Sequence, residues 1–363
     1  MEDHKFNDDL LLLASDRERA KTAYPAVFFA LDHEALRHCF LHHDVPANKA
    51  KRRARRCGLL SVILTAVALC GASMTPLFHH ATHGWLLGTG FAVLGIAGVL
   101  IGFFGLLYGP PKRRWLEHRL MTEWLRQFHF QTILSNLDLL ASASSGGEGE
   151  APFEARRTQS FSALLQRFDG HLPAELGNIT NNEQSSDIWV QQPPADVPEA
   201  MLERLPEDIF SAYRDLRLRH QLNYASWKLQ RSGSVIDRSL RGTRAMLGFL
   251  SIGAVVLLFG IDLTAALVMP WQTAWFPDME LHIAAICLAV IALAARAIEE
   301  GMQVRVEIDR YRNYQNTVWA LLRRFESMAS RRDKVQVMVE MERVAFLEMK
   351  AFLMANREAT FVM

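Results

Sequence analysis

Asp262 is the one acid placed well inside an apolar run of this chain, within GFLSIGAVVLLFGIDLTAALVM. A carboxylate in hydrocarbon is costly unless it faces water or a partner. The chemistry it would serve is ion or proton handling along a wet path. It also lies seven residues before Met269, and a place at the membrane interface suits it as well. Thr264, Ser251 and Thr65 are hydroxyls in similar surroundings, and with Asp262 they are the candidates for such a path. Selective transporters need ionisable or broken-helix sites at mid-membrane. Ser61, Ser73 and Thr89 add little to that inventory.

Two histidine groups are the other candidates. His38, His42, His43 and Asp44 form the first. His38 and His42 share a helix face, a spacing that can bind zinc. No Cys or third spaced ligand completes the set, so a solvated or capping role is expected and no metal is assigned. His79, His80 and His83 form the second, a polar turn able to titrate near neutral pH. The sequence holds no GxxxxGK[ST] phosphate loop, no GxSxG, no HExxH and no dinucleotide fingerprint. The common membrane ATPases, hydrolases and zinc proteases are disfavoured, and neither an enzyme nor a cofactor is expected.

Four apolar stretches must position these residues: 58–78 paired with 85–108, and 246–269 paired with 281–298. Each is about the length that crosses roughly 30 Å of hydrocarbon as a helix. Half of the 363 residues are apolar, and 40 basic residues against 39 acidic ones leave no field that would favour nucleic acid. Charge is placed rather than accumulated. Lys49, Lys51, Arg52, Arg53, Arg55 and Arg56 precede the first stretch, and Lys112, Arg113 and Arg114 follow the second. Arg238, Arg241 and Arg244 precede the third, and Arg296 and Arg305 close the fourth. The connectors 79–84 and 270–280 contain no Lys or Arg, and Trp85, Trp271 and Trp275 lie beside them. The positive-inside rule then predicts a multi-pass protein of the cytoplasmic (inner) membrane with both termini cytoplasmic. The basic run at 49–56 also attracts anionic headgroups, although setting topology is role enough for it. Cys39, Cys57, Cys70 and Cys287 form no CxxC pattern, which fits a reducing compartment. The first apolar run begins at Gly58, too late for a cleaved signal peptide.

The predicted fold is an all-α integral membrane protein, with four transmembrane helices in two hairpins and long cytoplasmic helical extensions. Residues 1–57 are cytoplasmic helices, with a break at Asp44 and Pro46, and 58–108 the first hairpin. Residues 109–140 form a cytoplasmic helix, and 141–205 a flexible polar linker holding one short helix at Phe161–Phe168. Residues 206–245 form a helix entering the second hairpin at 246–298, and 299–363 a cytoplasmic helical hairpin. Gly84 and Gly88, and Gly98 and Gly102, are spaced four apart, which lets helix backbones approach closely. Packing inside the four-helix unit and oligomerisation both use such glycines. Val304, Ile308, Tyr311, Gln315, Val318, Leu322 and Phe325 alternate by fours and threes. That heptad seam is assigned to oligomer assembly. It lies on a helix expected to run unbroken from about 281 to 328, roughly 70 Å. The plan of charged helix, hairpin and aromatic helix occurs twice. An internal duplication and two unrelated hairpins both fit it.

The stretches RRWLEHRLMTEWLRQFHF (113–130) and RVEIDRYRNYQNTVWALLRRF (305–325) each follow a two-span hairpin. In this the chain resembles the SLATT group, the two-transmembrane domains associated with bacterial nucleotide second messengers. The resemblance covers 206–357 and, more weakly, 20–140, and two hairpins in one chain depart from the single-hairpin plan. It implies a membrane-disrupting effector in antiviral defence, triggered by a nucleotide signal or a partner protein. It carries no residue over as a ligand contact. The expected function is therefore a regulated membrane-perturbing or pore-forming effector. The alternative is a non-conducting membrane scaffold that recruits a cytoplasmic partner. The expected partners are the lipid bilayer, further copies of the chain and a cytoplasmic or nucleotide-signalling partner, with no direct nucleic acid.

Overall fold

The computed structural model describes residues 6–78, 84–104, 110–144, 149–181, 189, 197–230, 240–268 and 278–358. Every regular element among the described residues is a helix. The longer ones are α1 (Ala14–Ala23), α2 (Glu34–Met74), α3 (Gly84–Gly102), α4 (Pro110–Ser135), α5 (Leu137–Ser144), α6 (Glu150–Phe168) and α7 (Leu172–Asn181). They continue as α8 (Glu207–Tyr213), α9 (His220–Leu229), α10 (Leu240–Val268), α11 (Asp278–Gly301), α12 (Val304–Ser327) and α13 (Arg331–Glu358). A π-helical turn, Arg214–Arg219, joins α8 to α9.

The chain divides into two compact units. A helical unit comprises Met1–Asn48, Leu116–Leu229 and Asp309–Arg357, and an apolar unit comprises Lys49–Trp115, Gln230–Ile308 and Glu358–Met363. The helical unit is built around α4. Trp124, Leu125, Phe128, Phe130 and Leu134 are all buried, and they point in every direction around the helix axis. Every residue from 124 to 134 is buried, polar ones included, which puts this helix in the middle of the core. Trp124 stacks obliquely on Phe168 of α6 and Phe346 of α13, with ring centroids 5.9 and 5.8 Å away. Phe130 meets Tyr213 of α8 edge-on at 5.7 Å. The C-terminal helices α12 and α13 fold back on one another, tied by Arg310–Glu348 (2.9 Å) and Arg324–Glu340 (2.6 Å).

Among the described residues, three helical segments are long and apolar enough to cross a membrane: Glu34–Leu77, Thr243–Gly260 and His282–Ser327. Leu86–Gly102 is a shorter apolar helix. In the apolar unit the C-terminal part of α2 packs against α3, and α10 packs against α11.

Several expectations are corrected. No break occurs at Asp44 and Pro46, because α2 runs through both. Phe40, Ala47, Ala54, Ser61 and Ala68 recur every seven residues and are all buried. That continuous covered face outweighs the local stop signal, and Asp44 accepts from the Asn48 side chain, 3.0 Å away, inside the helix. Pro110 and Pro111 open α4, where their missing N–H groups cost nothing. The flexible linker expected over 141–205 is largely helical where described, as the end of α5, α6 and α7. The unbroken helix over 281–328 is also corrected. It turns at Met302 and Gln303, with Gln303 in the left-handed region (φ 51°) that ends helices. Continuity between α9 and α10, residues 145–148 and most of 182–196 lie outside the described residues.

Candidate functional site

In the apolar unit, α2 and α3 run antiparallel with small residues in register. Cβ atoms built on Gly88, Gly95 and Gly102 would meet Thr75, Ala68 and Ser61 at 3.4, 3.2 and 2.6 Å. Both trios are spaced by seven, so one small residue faces another at every second turn. A Cβ on Gly98 would lie 2.9 Å from the Thr65 hydroxyl and 3.1 Å from its main-chain nitrogen. Ser61 donates to the Gly98 carbonyl at 2.8 Å. Thr65, Gly88, Gly98 and Gly102 are thus brought together, in packing within one chain. The side of Gly84 lies outside the described residues.

The second hairpin buries Leu247, Ser251 and Ala254 of α10, and Val290 and Ala295 of α11. Ser251, a candidate for a wet path, therefore faces protein. Asp262 and Thr264 fall on α10, but their side chains lie outside the described residues. The connectors with His79, His80 and His83, and Trp271, Trp275 and the Trp85 side chain, lie outside them too. The two hairpins meet where Cys70 and Cys287 point at each other's main-chain carbonyl, each 3.9 Å away.

The outer surface of this unit is apolar. Phe249, Ile252, Val256, Phe259 and Leu263 are 60–80% exposed and spaced 3, 4, 3, 4 along α10. Val93, Ile96, Val99 and Phe104 are exposed on the first hairpin. A contiguous apolar surface of this size marks a membrane or protein contact. The α10 stripe was readable as a heptad, but within an unbroken apolar run its period carries no contrast.

The helical unit has an ionic interior that the sequence reading missed. Arg217, on the π-helical turn, forms a two-pronged pair with Glu342 of α13 at 2.9 and 2.8 Å, both side chains fully buried. Tyr213 donates to Glu342 at 2.7 Å and lies 2.9 Å from the Met338 carbonyl, and Arg217 lies over the Phe130 ring at 4.6 Å. Arg126 binds Asp9 (2.6 Å), Asn7 (2.8 Å) and Glu123. Burial alone would raise the Glu123 carboxyl, but Arg119 and Arg126 outweigh it and hold it below its usual range. Sequence offers one clue, a cluster of Arg, Asp and Glu interleaved with aromatics in the soluble segments.

The oligomer seam is corrected. Ile308, Tyr311, Val318, Leu322 and Phe325 are buried within the chain. Tyr311 meets Tyr224, Gln315 donates to Ser226 at 2.8 Å, and Phe325 meets Phe210. From Tyr311 to Phe325 the heptad packs on α8 and α9 of its own chain, so these side chains are taken up within the helical unit.

Of the first histidine group, His38 pairs with Glu34 at 3.6 Å on an exposed face. The His43 and His118 Nδ1 atoms lie 2.9 Å apart, so one ring donates and the other accepts. His42 and His43 border an open cavity of about 430 Å³ with Gln166, Phe168 and Asp169. Among the described residues no three His, Cys, Asp or Glu side chains are placed to hold a metal ion. Compared with known proteins, the chain matches no family model, no curated protein and no solved structure.

Proposed function

We propose that this chain is a multi-pass effector of the bacterial inner membrane that perturbs the bilayer when a signal reaches its helical unit. Both termini are cytoplasmic in this reading, and α3 is the fourth span. The observation that carries it is the α10 stripe, Phe249, Ile252, Val256, Phe259 and Leu263, which nothing among the described residues covers. A heptad of large apolar residues serves equally to meet lipid and to meet the same stripe on another copy. Assembly through α10 replaces the buried C-terminal seam of the original expectation. The resemblance to the SLATT group supports a role in antiviral defence, with a nucleotide signal or a cytoplasmic protein as trigger.

The test is particle mass in detergent followed by dye release from liposomes. A defined oligomer that releases dye, with both properties weakened in F249A/F259A, is the expected result. A non-leaky monomer would overturn it. The second reading, a non-conducting scaffold that recruits a cytoplasmic partner, draws on the span hydroxyls. Ser61 and Thr65 are taken up in packing and Ser251 is buried, which leaves little to line a wet path. That reading predicts tight vesicles and a strong defect on removing α6 and α7.

A further inference from the structure

We propose that the cationic end of the first apolar hairpin is a binding surface for anionic phospholipids. A headgroup carrying two phosphates binds it more tightly than one carrying a single phosphate. The inference rests on the membrane reading above but adds a partner chemistry to it.

The chain has no Asp or Glu between Asp44 and Glu117. Within that stretch fall nine cations: Lys49, Lys51, Arg52, Arg53, Arg55, Arg56, Lys112, Arg113 and Arg114. They belong to two segments, one entering the hairpin and one leaving it. The fold joins these segments, since the Lys51 ammonium lies 5.8 Å from the centre of the buried Trp115 ring. Arg52, Arg53, Arg56, Arg113 and Arg114 are exposed. Just along α2, Leu60, Ile63 and Val67 are exposed as well. The cations therefore sit at the level where an exposed apolar helix begins, as phosphates sit above acyl chains. A soluble anion would use only the first half of that surface, whereas a phospholipid uses both.

Topology alone does not require this density. The second hairpin carries its cations among acids, with Arg244 placed 3.9 Å from Glu299. The first hairpin has no acid between Asp44 and Glu117, and the exposed Arg53, Arg56 and Arg114 bring like charges to the same end of it, where they repel one another. A layer of phosphodiesters offsets that repulsion, by an attraction that falls with salt. Because the charges come from two adjoining segments, a headgroup with two phosphates engages both.

The experiment titrates the full chain, in neutral detergent, with cardiolipin, phosphatidylglycerol and phosphatidylcholine, and counts retained lipid by native mass spectrometry. Cardiolipin should be retained best, phosphatidylcholine least, and the difference should collapse at high salt. R53Q/R56Q/R114Q should weaken cardiolipin binding about a hundredfold, from roughly fivefold per charge. R312Q/R323Q, in the helical unit, should leave it unchanged. Equal retention of all three lipids, or the same affinity in the first variant, overturns the proposal. Should that variant fail to insert, the salt dependence of the unaltered chain decides alone. Flotation with pure phosphatidylcholine vesicles separates the two readings. A chain that floats there without preferring anionic lipid sinks this inference only, and one that floats with no vesicle sinks the membrane reading.

Discussion

Ser61 donates its hydroxyl to the main-chain carbonyl of Gly98, 2.8 Å away across the first apolar hairpin. The bond is made because Gly98 has no side chain to hold α2 and α3 apart. The rest of the interface follows the same register, with Ser61, Ala68 and Thr75 facing Gly102, Gly95 and Gly88. Apolar burial does not drive helix association in lipid, so close packing and interhelical hydrogen bonds must. This interface supplies both.

Gly98 and Gly90 make a matched test. A Cβ on Gly98 meets the Thr65 hydroxyl and main chain, whereas one on Gly90 meets nothing within 4 Å. Gly98→Leu should lower the thermal stability of the detergent-solubilised chain, by about 1–3 kcal/mol as overpacking commonly does. Gly90→Leu should change it little. Equal effects of the two would show that α2 and α3 do not pack in this register.

The Arg217–Glu342 pair is a costly place to interrupt the helical unit. Its charges are fully buried, and removing one partner strands the other in a medium of low dielectric. Glu342→Leu should destabilise the unit by about 3–5 kcal/mol, and R217M/E342L should recover much of that. Denaturant unfolding followed by far-ultraviolet circular dichroism measures both. A single variant as stable as the unaltered chain would show that the pair is solvated.

Acid should loosen the same unit before its carboxylates titrate. Burial, reinforced by Arg157, pushes His33 down to about 3. Burial, reinforced by His33 and Arg157, does the same to His129. An unfolded histidine titrates near 6.5. Between those values the unfolded chain binds protons that the folded one refuses. The stability is complete above about pH 6.5 and declines as pH falls toward 3, by at most about 1.4 kcal/mol per pH unit for each group. His129→Gln should flatten the decline between pH 6 and 5, a window above ordinary carboxylate titration. An unchanged slope would assign the decline to other groups.

The apolar helices were legible because each is an apolar run flanked by cations, a signal that needs no tertiary context. Helix α6 was not. Its covered face is Phe153, Arg157, Phe161, Leu164 and Phe168, and the arginine in the stripe makes the segment look polar. In the fold Arg157 donates to the carbonyls of Phe29 and Asp32, at 2.9 and 3.2 Å. It thereby satisfies the open end of the short helix Phe28–Leu31, a role no local pattern reveals. The C-terminal seam was legible as a covered face but not in what covers it. Periodicity shows that Phe325 must be buried, and only the fold shows Phe210 beside it. Gln303 is hidden for a further reason: a left-handed turn at a residue other than Gly or Asn has no strong composition signal.

Cys70 and Cys287 report whether the two hairpins pack as the fold requires. Their thiols face each other's carbonyls, and the Ser73 hydroxyl lies 3.6 Å from the Cys287 sulfur while donating to the Cys70 carbonyl at 2.7 Å. Such a mutual arrangement places two nucleophilic sulfurs within reach of one short cross-linker. Dibromobimane alkylates two thiols with loss of two bromides and becomes fluorescent when both have reacted. In a C39S/C57S chain it should label within a single chain and lose its signal on Cys287→Ala. Fluorescence confined to a dimer band would instead place the two thiols on different copies, and would move the contact between hairpins from within one chain to the interface between two.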